Sequence, residues 1–268
     1  MRTGALSASA SLVAIAAQRR FGGALEKATA EGFAVQSWDA GGTPMRGIMI
    51  TSSTPGSVIV PGNYRRVTIG GGGSGGMRSN GRAGGGGAGE LVVEEIVALA
   101  AGDFTAVIGA GGAGISGFPE ANGNAGGNTS WTGNGANLTA IGGGAGGGVT
   151  GGVGGNGGSG GGAPVQSTTP GLSIASAGVG FNGGIGLGDP YGGSGGGAGG
   201  APPDDTAFGI NPGPGVTLTL LGMTYTVCRG GDGNLTVAVA GDGYGSGSSG
   251  GYASLAGGDG LIVLEWPA

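Results

Sequence analysis

Short apolar runs alternate with blocks of glycine along most of the chain. The apolar runs are rich in Val, Ile, Leu and Thr, which favour β-strands, and Gly, Pro or Asp residues separate them. They lie at residues 58–60, 64–69, 91–99, 104–108, 216–227 and 261–266. The pattern predicts strands at these positions and a β-hairpin over 216–227. It also predicts that the C-terminal strand pairs with the opening strands of residues 58–69.

The glycine blocks repeat every three residues. Residues 151–162 read GGV, GGN, GGS and GGG, and residues 142–148 and 192–200 are similar. A period of three is typical of a left-handed extended helix of the polyproline II type. Without side chains, such polyglycine II helices approach closely and exchange lateral backbone hydrogen bonds with several neighbours. We expect a stiff slab of these helices, the alternative being a flexible Gly/Ser linker.

The first 56 residues have a different texture. The alanine-rich residues 5–20 end in Arg19 and Arg20, which favours a short helix, and a second weak helix is expected over 24–30. Residues 38–54 are either a linker or contain a first strand at 48–50. This segment is too small to bury a core of its own, so we expect it to pack against a partner or other copies of itself. No run approaches the 18 apolar residues of a membrane span.

The predicted fold class is therefore mainly β with polyglycine II helices. A glycine-rich slab framed by short antiparallel strands occupies residues 57–268, and a small N-terminal helical segment lies within residues 1–56.

Composition and charge narrow the class further. Glycine accounts for 77 of 268 residues, but the 12 prolines do not follow the strict period of collagen. Disorder is the simple alternative, yet charged residues are only 9% and the apolar runs are β-branched. Residues 1–82 carry nine of the ten Lys and Arg residues and three acids, whereas the remainder carries twelve acids and Arg229. A negative body argues against nucleic-acid binding.

The sequence lacks the residues of most catalytic and metal sites. It contains no histidine, and its one cysteine is Cys228, so it excludes Ser-His-Asp and Cys-His catalysis, zinc sites of the usual ligand type and an intrachain disulfide. Cys228 ends the predicted hairpin and is expected to be a small buried residue.

Residues 109–114 satisfy the dinucleotide-binding pattern G-x-G-x-x-G. A helix should follow the third glycine, but Pro119 and several Gly and Asn residues come next. The pattern also requires an acidic residue about 20 positions on, and none occurs between Glu120 and Asp189. We expect a chance match in a glycine-rich chain.

Other acidic clusters are equally weak indications of chemistry. Neighbouring strand residues such as Glu94 and Glu95 face opposite sides, and Asp204-Asp205 follows two prolines in an expected solvated loop. Residues 230–233 are similar to a calcium-binding nonapeptide, but the required aspartate is replaced by Leu235. We predict a protein that is not an enzyme and that has no cofactor and no metal site, with calcium binding at residues 230–233 as the weaker alternative.

The order of parts resembles a known domain. Pro61-Gly62 and a strand precede GGGGSGG at 70–76, then come VIGAGGAG at 107–114, GGNTSW at 126–131, LTAIGGGAGG at 138–147 and GGDGLIVLEW at 257–266. This order resembles the glycine-rich domain of bacteriophage tail-fibre and tail-tip proteins, over about residues 57–268. The resemblance implies a virion protein in which polyglycine II helices support loops that touch the host surface.

A related glycine-rich domain occurs in an animal receptor kinase, where sequons such as those at Asn128, Asn137 and Asn234 would matter. Nothing in this sequence resembles a kinase. Residues 1–56 lie outside the resemblance and by position would attach the domain to other tail or baseplate proteins, or oligomerise it. The attachment candidates are Leu12, Val13, Ile15, Arg19, Arg20 and Phe21.

The leading expectation is a virion protein of the tail fibre or tail tip that recognises a host glycan or outer-membrane protein during adsorption. Loops on a rigid scaffold should carry the contacts, through aromatic rings and amide or carboxylate groups. The candidates are Phe118, Asn122, Asn124, Trp131, Phe181, Asn182, Asp189, Tyr191, Phe208, Asn211, Tyr244 and Tyr252. Alternatively, Trp131 and Phe208 cap the ends of the slab.

Two other functions stay open. One is a virion decoration or connector protein with a purely structural role. The other is an ice-binding protein, which would require a flat face of regularly spaced Thr or Ala, whereas the threonines are scattered along the sequence. A homo-oligomer is expected, with a trimer as the first expectation and a monomeric tip as the alternative, without nucleic-acid binding or membrane insertion.

Overall fold

The computed structural model describes residues 35–58, 61–79, 83–117, 119–148, 152–186, 191–203, 211–233 and 238–268. These residues form eleven strands and no α-helix. The strands are β1 (Val35–Asp39), β2 (Pro44–Ile50), β3 (Thr54–Val58), β4 (Gly62–Ile69), β5 (Leu91–Leu99), β6 (Gly102–Val107), β7 (Thr129–Gly133), β8 (Leu138–Ala140), β9 (Val216–Leu220), β10 (Met223–Val227) and β11 (Leu261–Pro267). The fold is therefore mainly β and antiparallel, as predicted. The two expected N-terminal helices lie outside the described residues.

The first sheet has five strands in the order β1-β2-β11-β4-β5. The C-terminal strand β11 lies between β2 and β4, with Val263 opposite both Met49 and Val67. The predicted pairing of β11 with the opening strands is thus confirmed for β4. Strand β2 pairs with β11 as well, so residues on both sides of position 56 contribute strands to this sheet.

The second sheet, in the order β3-β6-β7-β8, packs on one face of the first. Residues alternate along β6, so that Phe104 and Ala106 are buried while Thr105 and Val107 are exposed. Phe104 and Trp131 stack with ring centroids 3.8 Å apart, and they share a core with Ile262. The core of this sandwich is built from large side chains.

The hairpin β9–β10 covers part of the other face of the first sheet. Leu220, Val227 and Cys228 are buried there with Val67 and Val263. Burial raises the pKa of the Cys228 thiol, and the expectation of a small buried residue is confirmed. The hairpin predicted over 216–227 is also confirmed, with a turn at Leu221 and Gly222, both of which have positive φ.

The glycine-rich segments pack side by side against the strands, and we call this region the glycine bundle. Residues 84–89 lie at its centre and donate backbone hydrogen bonds of 2.7–3.0 Å to three other segments in rotation. The donor and acceptor pairs are Gly84 and Gly147, Gly85 and Gly193, Gly86 and Ser248, Gly87 and Gly144, Ala88 and Gly196, and Gly89 and Gly245. The same partner segment therefore returns at every third residue. Carbonyl groups of the central segment accept hydrogen bonds from three further segments, which contain Gly73, Ser159 and Gly231.

Close approach of backbones explains why these positions are glycine. A Cβ atom on Gly86 would overlap the carbonyl oxygen of Gly73 and lie 2.6 Å from its carbonyl carbon. A Cβ atom on Gly73 would in turn overlap the carbonyl oxygen of Gly144. Real Cβ atoms do not approach backbone so closely, and backbone atoms inside the bundle have no space into which to move. Glycine here is a requirement of packing.

The segments of the bundle run from the strands to a common layer, which we call the far end. The segment after β4 leads from Ile69 to Met77, and the segment before β5 returns from Ala83. Met77 forms backbone bridges with Ala121 and Gly251. Met77, Ala83, Ala121 and Gly251, which lie at the ends of their segments away from the strands, therefore meet at the far end.

Candidate functional site

The far end brings several sequence-predicted contact residues together. Tyr252 follows Gly251 and is 52% exposed, and exposed Asn122 follows Ala121. The half-buried Tyr191 precedes Gly192, which packs against Ala83 at the same layer. The far end thus presents an aromatic ring and an amide group on neighbouring loops.

One ion pair orders part of the far end. Arg78 lies 3.4 Å from the Glu120 carboxylate, which also accepts a hydrogen bond from the Ser79 hydroxyl at 3.0 Å. These residues connect the loop after Met77 with the loop before Ala121. Phe118 and Asp189, two further contact candidates, lie outside the described residues, as do Phe208 and the six attachment candidates.

Three of the asparagine candidates form side-chain hydrogen bonds to the backbone of other segments, which the sequence did not indicate. The side-chain oxygen of Asn122 accepts the N–H of Gly148 at 2.8 Å, and that of Asn182 accepts the N–H of Ser173 at 2.8 Å. Asn124 donates from its side-chain amide to the carbonyl of Ala113, and its backbone N–H donates to the Ser74 hydroxyl. At the surface of the bundle these side chains replace a neighbouring backbone as hydrogen-bond partner.

The remaining candidates do not join the far end. Phe181, which is 38% exposed, and Asn182 lie on the side of the bundle, next to residues 157–161. Tyr244 lies beside the hairpin, where its hydroxyl contacts the Met49 sulfur at 3.8 Å and burial raises its pKa, with a smaller contribution from Tyr225. Asn211 is exposed on the segment that precedes β9.

Trp131 is not a surface residue. Its ring is fully buried against Phe104, its indole N–H donates to Asn134 at 3.0 Å, and the Arg66 guanidinium lies 5.7 Å from its centroid. An external ligand does not reach a buried ring, so we remove Trp131 from the contact candidates. It also does not cap the glycine bundle, because it lies in the core between the two sheets.

Two buried carboxylates hold parts of the fold together. Glu90 is fully buried where the bundle meets β5, and its oxygens accept the backbone N–H groups of Ile141, Ser176, Ala177 and Gly178 at 2.5–3.0 Å. Glu265 on β11 accepts from Arg65 at 2.5 Å and from the N–H of Leu221 at 2.6 Å, which anchors the hairpin. Both groups are fully engaged with the protein itself.

The described part of the chain contains no cluster of titratable side chains arranged for acid–base catalysis or metal binding. No group of three or more His, Cys, Asp or Glu side chains is placed to hold a metal ion there. Glu94 pairs with Arg66 at 2.6 Å and Glu95 with Arg65 at 3.2 Å, so the two acids do not act as a pair. Burial raises the pKa of Asp232, while Arg229, 3.5 Å away, lowers it.

A shallow cavity of about 450 Å³ lies at the opposite end of the molecule from the far end. Pro61, Asn63, Leu99 and Asn134 line it, and none of its lining residues is charged. No sequence-predicted contact residue lies in this cavity.

Sequence analysis missed two surface features. The first is a group of apolar side chains, Val153, Leu172 and Ile174, which are about half exposed on the side of the bundle. They lie outside the predicted strands, so no strand pattern in the sequence indicated where their side chains would point. The second feature is a square of four exposed threonines on the hairpin, with Thr219 opposite Thr224 and Thr217 opposite Thr226. The T-x-T spacing in both strands was the available signal for this square.

The fold places this chain in the class of proteins in which a β-sandwich carries a bundle of glycine-rich segments. The family model of the glycine-rich domain matches residues 51–267, so the chain belongs to that family. No curated protein matches the chain. Among the described residues, no helix has the length and apolar character needed to cross a membrane.

Proposed function

We propose that the glycine bundle is a polyglycine II assembly and that it serves as the rigid support of a bacteriophage tail-fibre or tail-tip protein. In this proposal the protein is not an enzyme, and it recognises a glycan or an outer-membrane protein on the host surface during adsorption. The observation that carries the proposal is the far end, where loops of a backbone-bonded scaffold meet away from the sheets.

The polyglycine II part rests on the rotation of hydrogen bonds along residues 84–89. Three partners in turn, each returning at the third residue, are what a helix with three residues per turn provides. At about 3.1 Å per residue, the eight residues 70–77 would place the far end about 25 Å from the sheets. An experimental structure tests this part directly: residues 84–89 should have φ near −75° and ψ near +145°.

Receptor recognition is supported by the arrangement of groups at the far end. Tyr252 offers an exposed ring that can stack on a sugar face, and the loops around Asn122 offer hydrogen-bonding groups. The order of strands and glycine blocks, similar to that of phage tail glycine-rich domains, supports the assignment to a virion. The N-terminal segment within residues 1–56 would then attach the body to other tail proteins.

The test is binding of fluorescently labelled full-length protein to cells of the bacterium that the encoding phage infects. We expect saturable binding that blocks adsorption of the phage, and a loss of at least about tenfold in affinity for Tyr252→Ala. Ile96→Ala is the matched control, because Ile96 is 76% exposed on β5 and remote from the far end. Equal binding by both variants would remove the far end as the contact surface.

Failure of the wild type to bind cells, together with binding to purified tail proteins, would favour a connector or decoration protein. A third function, ice binding, is favoured by one observation, the four exposed threonines of the hairpin. An assay of ice recrystallisation with wild type and Thr219→Val/Thr224→Val separates it from the other two functions.

A further inference from the structure

One side of the glycine bundle exposes large apolar side chains. Val153, Leu172, Ile174, Val179 and Phe181 are 38–52% exposed. We call this surface the apolar edge. Soluble monomers leave single apolar residues exposed, but a group on adjoining segments marks an interaction surface.

Backbone hydrogen bonds show that the segments of the apolar edge adjoin one another. Residues 171–174 bond on one side to Gly157 and Gly161, and on another to Gly183, whose N–H donates to Gly171 at 3.0 Å. Phe181 is joined to the same group, because its carbonyl accepts the N–H of Gly160 at 2.9 Å. Leu172, Ile174 and Phe181 therefore belong to neighbouring chain segments.

The outermost segment of this edge cannot extend the bundle through its backbone. The N–H of Leu172 donates to the side chain of Asn156, and the N–H of Ser173 donates to the side chain of Asn182, both at 2.8 Å. These asparagines occupy the donors that another glycine segment would need. The edge therefore presents apolar side chains, rather than free N–H groups, to a partner. Edge strands of β-sheets are protected from open-ended pairing in a similar manner.

Charge indicates which partner this surface suits. Residues 121–188 contain no Asp, Glu, Lys or Arg, although the whole chain carries a net charge of −5. Two copies of a negative protein repel each other through their charged surfaces, whereas uncharged edges meet without that repulsion. The same surface can face itself across a two-fold axis, which is the commonest arrangement of soluble homo-oligomers.

We infer that the apolar edge is a self-association surface, through which two copies of this chain pack about a two-fold axis. A two-fold interface uses the same surface of both copies, so the assembly closes at two copies rather than growing. Phe181 and Asn182, predicted from sequence as receptor contacts, are then assigned to the interface between copies. This inference does not rest on the proposed receptor recognition.

The test is sedimentation of the full-length protein over about 1–100 µM, the range in which a modest apolar interface associates. We expect concentration-dependent association of the wild type and a weakening of at least about tenfold in Leu172→Glu/Ile174→Glu, which places like charges opposite each other at the interface. Ile96→Glu, at an exposed apolar position outside the edge, is the control and should associate like wild type. Thermal unfolding of all three proteins verifies that each is folded.

Two outcomes overturn the inference. One is a wild type that stays monomeric throughout the range, and the other is an edge variant that associates as tightly as the Ile96→Glu control. A monomeric wild type that binds phosphatidylethanolamine/phosphatidylglycerol vesicles through Leu172 and Ile174 would identify lipid as the occupant instead. Cell binding is measured separately, so association without cell binding contradicts only the proposed function, and cell binding without association contradicts only this inference.

Discussion

The sandwich of two sheets and the glycine bundle both pair their buried backbone groups, but they fill the space between their segments in opposite ways. Both bury backbone N–H and C=O groups, which must therefore find partners inside the protein. In the sandwich, strands supply those partners in two directions and large side chains such as Trp131 fill the space between the sheets. In the bundle, residues 84–89 find partners in several directions, and the side chains between the segments are small ones such as the buried serines Ser74 and Ser248. The sandwich is stabilised by large side chains that fill its core. The bundle is stabilised by backbone hydrogen bonds between segments that approach closely because glycine has no side chain.

The two regions should therefore respond differently to mutation. Removing atoms should damage the sandwich, because cavities form in a well-packed core. Adding atoms should damage the bundle, because a Cβ atom on glycines such as Gly73, Gly85 and Gly86 would overlap a neighbouring backbone carbonyl. Five substitutions test this difference, from the largest expected effect to the smallest.

Truncating Trp131 in the sandwich should have the largest effect. Trp131→Ala removes the ring that stacks on Phe104 and leaves the Asn134 side chain without its indole donor. We expect a loss of about 3–5 kcal/mol in the free energy of unfolding, measured by denaturant titration. Tyr252→Ala, a truncation of an exposed ring, should change it by no more than about 0.5 kcal/mol. A loss in Trp131→Ala of under about 1 kcal/mol would contradict a core held by this side chain.

Adding one methyl group should damage the bundle nearly as much. Gly86→Ala places a Cβ against the carbonyl of Gly73, and we expect a loss of about 1–3 kcal/mol or more in the free energy of unfolding. Gly62→Ala is the matched control on β4, where the nearest atom to a new Cβ is a Tyr64 ring carbon at 3.9 Å. Comparable stability of the two variants would show that the segments are packed less closely than described.

Glu90 tests the junction between the two regions. Glu90→Gln replaces a carboxylate oxygen with an NH₂ group that cannot accept a hydrogen bond, so at least one of the four backbone N–H groups loses its acceptor. We expect thermal unfolding to report a loss of about 1.5–3 kcal/mol. Glu95→Gln, which removes an exposed ion pair with Arg65, should cost about 1 kcal/mol or less. Similar losses in both variants would contradict the special role of Glu90.

Asn182 tests the surface of the bundle. Asn182→Ala leaves the N–H of Ser173 without its acceptor, and since water can partly replace it at an exposed position we expect a loss of about 0.5–1.5 kcal/mol. Hydrogen exchange of the Ser173 amide should become faster in the variant, and exchange at Gly86 in the bundle centre should not change. Unchanged exchange at Ser173 would contradict the role of the side chain as a hydrogen-bond acceptor.

The smallest effect concerns Asp232 and depends on pH. Burial raises the pKa of Asp232 in the folded state, despite the opposing effect of Arg229. A raised carboxyl pKa favours the protonated form, so this group supports the fold at pH values below its unfolded pKa of about 3.9 and loses that support as the pH rises through its folded pKa. Asp232→Asn should therefore gain stability relative to wild type at pH 7 but not at pH 3. An equal difference at both values would show that the effect is not ionisation.

The sequence predicted the strands whose residues are apolar or β-branched in an unbroken run. The structure confirms β4, β5, β9, β10 and β11 at or near their predicted residues. Strands β7 and β8 were not predicted, because GNTSWTG and NLT resemble the glycine-rich loops around them. These two short strands form because β6 and its ring Phe104 provide a partner for Trp131, and that partner is distant in sequence.

The candidate site was predicted less completely than the fold. Aromatic and amide residues were visible in the sequence, but their spacing did not distinguish the exposed Tyr252 from the buried Trp131. It also did not show that Asn122 and Asn182 bond to backbone groups of other segments. Both facts depend on contacts between residues far apart in the chain.

By itself, the sequence determined where the apolar strands and the glycine segments lie and that histidine is missing, because strand propensity, glycine spacing and residue inventory can be read without knowing any tertiary contact. The tertiary structure alone decided which segments are neighbours. Each glycine segment directs its backbone groups toward partners that change from one residue to the next, so its neighbours come from distant parts of the chain. Identical Gly-Gly repeats carry no side chains that could specify such partners locally. The far end and the apolar edge therefore emerge only when all segments are packed together.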